Sequence, residues 1–165
     1  ILSGVLLLVM GAFAEEKLEI NGTFAGTDFP EGWVANKPNS WDETGTVKII
    51  KVPDIEKSAL QLQSQKKKMH LCTRQDFPVE KGNVVVLKAI VKGQGNVFLG
   101  LYAYPAGSQL GKEIKTSEEW TEVVTEIEIY TDKIKNVRIV AGVVPGASVE
   151  IMELTASVKT REEKK

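Results

Sequence analysis

Val84-Val85-Val86-Leu87-Lys88-Ala89-Ile90-Val91-Lys92 runs into the turn formers Gly93-Gln94-Gly95-Asn96 and emerges as Val97-Phe98-Leu99-Gly100-Leu101-Tyr102-Ala103-Tyr104. Successive side chains of a strand point to opposite faces. Val85, Leu87, Ala89 and Val91 therefore share one face of the first run, and Val97, Leu99, Leu101 and Ala103 share one face of the second. The opposite faces mix apolar, basic and aromatic residues: Val84, Val86, Lys88, Ile90 and Lys92, then Phe98, Gly100, Tyr102 and Tyr104. One wholly apolar face backed by one mixed face is the signature of a half-buried antiparallel sheet. Val137–Val144 repeats it, with Val137, Ile139, Ala141 and Val143 opposed by Arg138, Val140, Gly142 and Val144.

Outward from this pair, further segments rich in β-branched residues predict strands at Lys17–Ile20, Val47–Val52, Ala59–Gln63, Lys68–Thr73, Thr121–Tyr130 and Ser148–Val158. Turn chemistry separates them, at Asn21-Gly22, Pro30-Glu31-Gly32, Lys81-Gly82-Asn83, Pro105-Ala106-Gly107 and Pro145-Gly146. No stretch sustains a helical period. Many short strands without crossover helices predict an all-β fold, a two-sheet antiparallel β-sandwich.

The apolar run Ile1–Ala14 stops abruptly at Glu15-Glu16-Lys17. It is shorter than the roughly 20 residues a spanning helix needs, and Ala12-Phe13-Ala14 has the small-x-small pattern of a signal-peptide cleavage site. The expected organisation is a signal peptide over 1–14, one sandwich domain over 15–160 and a charged tail over 161–165, with the product secreted, periplasmic or on the cell surface. No second long apolar run follows, so no membrane span is expected in the mature chain. Net charge is −1, from 21 basic and 22 acidic residues, interspersed rather than gathered into the basic stripe that nucleic acid requires. Lys66-Lys67-Lys68 reads as a solvated turn. Cys72 is the single cysteine, so no internal disulfide is available and packing must supply the stability. A monomer is expected.

The motifs carry a resemblance. Ile20-Asn21-Gly22-Thr23-Phe24, then Pro30-Glu31-Gly32-Trp33, then Lys57-Ser58-Ala59-Leu60-Gln61-Leu62 stand in the order found at the opening of a family of sugar-binding domains. Phe77–Gly82, Ser117-Glu118-Glu119-Trp120-Thr121 and Val149–Leu154 continue that order to the closing strand. Over Ile20–Val158 the chain resembles jelly-roll carbohydrate-binding modules of the family 4/9/22 type, which share the architecture of galactose-binding domains. The resemblance implies a jelly-roll sandwich that binds a polysaccharide or oligosaccharide without catalysis. Related modules often hold a structural calcium through an acidic residue after the Asn-Gly-x-Phe turn and an aspartate in the closing strand. Ala25 and Met152 stand there in this sequence, so neither calcium nor any other cofactor is expected.

Sugar recognition needs a flat aromatic body for the C–H face and side chains that donate and accept hydrogen bonds at the hydroxyl rim. Tyr102 and Tyr104, on one strand face, are the candidate platform. Lys88, Arg138, His70 and Arg74 are its candidate polar neighbours, if their strands lie in the same sheet. Trp41, in the polar loop Pro38-Asn39-Ser40-Trp41-Asp42, is a further ligand-facing candidate. Phe24, Trp33 and Trp120 are expected in or against the core. Asn21-Gly22-Thr23 is also an N-glycosylation sequon, although a tight turn accounts for it. Nothing marks a nucleophile elbow, a phosphate loop or an opposed carboxylate pair, so an enzyme is not expected. The rival from another class is a structural or protein-interaction sandwich without sugar binding.

Overall fold

The computed structural model describes residues 13–37 and 41–161. The described residues form twelve strands: β1 (Phe13–Leu18), β2 (Trp33–Ala35), β3 (Thr46–Lys51), β4 (Ser58–Gln63), β5 (Met69–Thr73), β6 (Phe77–Pro78), β7 (Val84–Gln94), β8 (Asn96–Tyr104), β9 (Ser108–Lys115), β10 (Thr121–Glu128), β11 (Asn136–Val143) and β12 (Ser148–Arg161). One sheet runs β10-β7-β12-β4-β3, with β1 also on β12; the other runs β2-β5-β11-β8-β9, with β6 on β11. All pairings between strands are antiparallel. The fold is an all-β sandwich of two antiparallel sheets. No described helix is long and apolar enough to cross a membrane.

The alternating faces pack as their spacing requires. Val85, Leu87, Ala89 and Val91 of β7 meet Val97, Leu99, Leu101 and Ala103 of β8 and Val137, Ile139, Ala141 and Val143 of β11 in one core, all buried. The β7 and β8 runs thus belong to different sheets, and their hairpin-like connection crosses the sandwich. Leu60, Leu62, Val149, Ile151 and Leu154 supply the same core from β4 and β12. β12 changes register between Ile151 and Glu153, which makes Met152 the extra residue of a bulge.

Strands β2, β6 and β9 have no counterpart in the sequence reading. β2 and β6 are too short to show a period. β9 is an edge strand whose outer residues are mostly polar, so tertiary pairing rather than pattern specifies it. The first strand begins at Phe13, earlier than expected, with Phe13 opposite Arg161 and Ala14 opposite Thr160. Residues 1–12 of the expected signal peptide lie outside the described residues. So do residues 162–165 of the charged tail, whereas Arg161 ends β12.

The loop between β1 and β2 is held from within. Asn21 Nδ2 donates to the carbonyls of Ala25 at 2.8 Å and Glu31 at 2.9 Å, while its Oδ1 accepts the Ala25 N–H at 2.9 Å. The sequon side chain is therefore spent on the fold. Phe24, fully buried with φ of 55°, and Trp33 pack at a centroid distance of 5.5 Å. A left-handed conformation at a bulky residue is costly, and here burial of the phenyl ring offsets it.

Candidate functional site

The outer face of the second sheet is where this sandwich departs from a solvated surface. Cross-strand register places Arg138 of β11 opposite Tyr102 of β8, and Asn136 opposite Tyr104. Val140 lies between Gly100 and Cys72, and Gly142 between Phe98 and His70. On β9, Gln109 faces Tyr102 and Glu113 faces Phe98. Cys72, Phe98 and Val140 form a buried cluster of their own, with Val34 and Tyr102 packed against it, separate from the sandwich core. Among the described residues no third layer lies over this face, so its own side chains cover the apolar residues it buries.

One end of the face is open. The Tyr102 and Tyr104 rings stand 4.7 Å apart between centroids, tilted by 48°, and both are half-buried. The Arg138 guanidinium carbon lies 5.2 Å from the Tyr104 ring centroid, within cation–π range. Its Nε–H donates to Asp76 Oδ1 at 2.6 Å, and this bond raises the Arg138 pKa further. Burial raises the Tyr104 hydroxyl and the Cys72 thiol above their ordinary ranges, so both stay protonated near neutrality. The result is two angled rings, a charged donor fixed at their edge and a carboxylate beside it: an apolar body with a hydrogen-bonding rim.

The other end is roofed. The His70 ring stacks on Phe98 at 4.6 Å and 22°. Gly142 makes room for it, since a Cβ there would overlap the imidazole, and a Cβ at Gly100 would meet the Phe98 ring at 2.6 Å. Gln109 Nε2 lies 2.7 Å from His70 Nδ1, and Lys68 Nζ lies 2.9 Å from Glu113 Oε1. Both bridges start at β5 or the turn before it and end on β9, with β11 and β8 between them. Three interstrand steps of a flat sheet span about 14 Å, more than two such side chains close comfortably. The sheet is thus concave on this face.

The expected site residues divide accordingly. Tyr102, Tyr104 and Arg138 come together as a platform. His70 lies on the same face but is wholly buried at 0% exposure, so it is a support rather than a contact surface. Arg74 is exposed in the turn after β5, its amide bonded to the Gly32 carbonyl at 2.7 Å. Lys88 belongs to the other sheet, opposite Val124 and Thr155; the shared-sheet assumption fails for it because β7 and β8 cross the sandwich. Trp41 is half-buried against the main core with the Lys37 ammonium 5.3 Å from its ring centroid; Pro38, Asn39 and Ser40 lie outside the described residues. Trp120 does not cap the core. It sits half-buried on the outer face of the first sheet, the Lys92 ammonium 4.9 Å from its ring, because it shares the outward parity of Glu122 and Lys92.

Asp76, Gln109 and Phe98 complete the face and are not among the expected site residues. Phe98 shares the parity of Tyr102 and could have been found from it; Asp76 and Gln109 come from a turn and an edge strand with no pattern to announce them. A larger hollow of about 930 Å³ lies between β1 and the 75–83 segment. Its aromatic lining residue, Phe77, is 4% exposed, so it offers no ring to a ligand.

Neither a protein-family model nor a curated protein sequence matches the chain. Solved structures do. A variant of a family 29 carbohydrate-binding module complexed with mannohexaose gives a TM-score of 0.55 at 14% identity, covering 88% of this chain and 92% of that one. Another variant, complexed with cellulohexaose, gives 0.56 at 14% identity over 87% and 91%. The enzymatically active domain of a bacteriophage CBA120 tailspike protein gives 0.55 at 10% identity, over 78% of this chain and 19% of that one. The likeness at these identities is one of fold, the jelly-roll sandwich. It supports the fold of a carbohydrate-binding module and does not confirm the family 4/9/22 type.

Proposed function

We propose that this domain binds a carbohydrate chain without altering it, on the open end of the concave face. The observation that carries the reading is the pair of angled rings, Tyr102 and Tyr104, with Arg138 locked by Asp76 at their edge. Rings take the C–H face of a pyranose, and the remaining guanidinium N–H groups and the tyrosine hydroxyls serve its hydroxyls. The fold shared with modules complexed with mannohexaose and cellulohexaose supports this reading. Binding without chemistry fits the carboxylates of the face. Asp76 is tied to Arg138 and Glu113 to Lys68, whereas glycoside hydrolysis uses two carboxyl groups opposed across a cleft. The apolar run before Glu15 supports an exported, extracytoplasmic domain, and cleavage after Ala14 leaves Glu15–Leu18 still paired with β12.

Titration calorimetry with mannohexaose and cellulohexaose, followed by a broad glycan array, tests the proposal. A shallow site of two rings corresponds to about 4 to 8 kcal/mol, or mM to μM dissociation constants. The second reading is a structural or protein-interaction domain. It is favoured by the roof, which fills the other end of the face with the protein's own side chains. Absence of binding to every glycan on the array selects it.

A further inference from the structure

His70 is an unusual residue for a concave, solvent-facing sheet. It is fully buried, its Nε2 has no hydrogen-bond partner among the described residues, and its Nδ1 meets the amide nitrogen of Gln109. An amide NH2 only donates, so Nδ1 accepts and the proton of the neutral ring sits on Nε2. That choice fixes the Gln109 amide. With its nitrogen turned inward to the imidazole, its carbonyl oxygen is left over for the outside. Gln109 is exposed and is the direct cross-strand neighbour of Tyr102, which puts this oxygen beside the open platform.

We propose that His70 is a positioning residue: it holds Gln109 so that the amide oxygen, rather than the NH2 group, faces a sugar hydroxyl beside Tyr102. This rests on the carbohydrate-binding reading and adds an acceptor to a rim otherwise rich in donors. The arrangement is reversed by acid. Protonated imidazole carries N–H on both nitrogens, so Nδ1 can no longer accept and the amide must turn its oxygen inward. The outward group then becomes a donor. Burial, reinforced by the Lys68 ammonium and opposed by the Glu113 carboxylate, lowers the His70 pKa to about 4. These are the charged groups facing the ring; β11 and β8 present Gly142 and Phe98 there, and Asn36 beyond β2 bonds the His70 carbonyl through its backbone N–H.

The test is a double-mutant cycle read by titration with mannohexaose and cellulohexaose. His70→Phe keeps the stack on Phe98 and removes the hold on Gln109. It is expected to weaken binding about tenfold, the worth of one hydrogen bond, with no loss of melting temperature. Gln109→Ala, a surface change that leaves the core intact, should weaken binding equally, and the double variant no further. Wild-type affinity should fall as pH is lowered through about 4, while that of His70→Phe should not follow. Wild-type affinity in His70→Phe, or additive losses in the double variant, overturns the proposal. Failure of the wild type to bind any glycan overturns the function instead. Imidazole nitrogen shifts recorded without sugar then still decide the pairing: the Nε2–H tautomer upholds it and the Nδ1–H tautomer refutes it.

Discussion

The indole N–H of Trp33 donates to the backbone carbonyl of Asn21 at 2.9 Å. A buried indole needs such a partner, and this one ties the first residue of β2 to the loop that β1 leads into. The same Asn21 spends its side chain on Ala25 and Glu31. Asn21→Ala is expected to destabilise the domain by about 1 to 3 kcal/mol, measured by urea unfolding.

At the platform, Tyr102→Ala should remove most measurable binding to the hexasaccharides with the fold intact. Arg138→Ala should weaken it by about 10- to 100-fold, as for a lost charged hydrogen bond. Asp76→Asn should cost less, because an amide oxygen still accepts the Nε–H. Calorimetry with circular dichroism as the fold control checks the three.

Trp120→Ala is expected to cost only about 0.5 to 1 kcal/mol, the worth of its contact with Lys92, rather than the 3 to 5 kcal/mol typical of a core aromatic. Chemical denaturation, compared with a Trp33→Ala control that should show the larger loss, measures it.

Asp42 gathers five hydrogen bonds. Its Oδ1 accepts from the Thr44 hydroxyl and amide, and its Oδ2 from the amides of Gln65, Lys66 and Lys67. The Thr44 hydroxyl first, then the backbone donors, hold its carboxyl far below the usual carboxylate range. A lowered folded-state pKa stabilises above the unfolded value and is lost as pH falls below it. Asp42→Ala should therefore lower the urea midpoint near neutrality, and its deficit against wild type should shrink as pH drops below about 3.9.

His70 obeys the same sign in a higher window. Its folded pKa of about 4 lies below the 6.5 of free histidine. Wild type should lose stability relative to His70→Phe as pH falls from about 6.5 to about 4, by at most roughly 3 kcal/mol, and the difference should level off below that. Thermal melts of the two proteins across this range measure it.

How far the structure could be read beforehand follows from where information resides in a strand. Val85–Val91, Val97–Ala103 and Val137–Val143 announce their inward faces because burial against the opposite sheet demands an unbroken alternation. The inward set does not say which sheet a strand joins, since both sheets bury the same kind of residue. That is why Lys88 fell on the wrong layer and Tyr102, Tyr104 and Arg138 on the right one. Trp120 departs from its expected place because bulk alone does not decide burial: parity sends it outward. Gln109 and Asp76 contribute through pairings across β9 and the turn after β5, which only the folded chain brings near.

β12 carries a consequence for how the molecule comes into being. Along one edge it receives β7, and along the other β4 takes Ser148–Ile151 while β1 takes Ala156–Arg161. Before it appears, the first sheet exists only as the detached hairpin β3–β4, the separate pair β7–β10 and a solitary β1. During synthesis the early strands of the first sheet therefore wait for the late one. Folding governed by such distant partners is slow. The first sheet closes only once Ser148–Arg161 has been made.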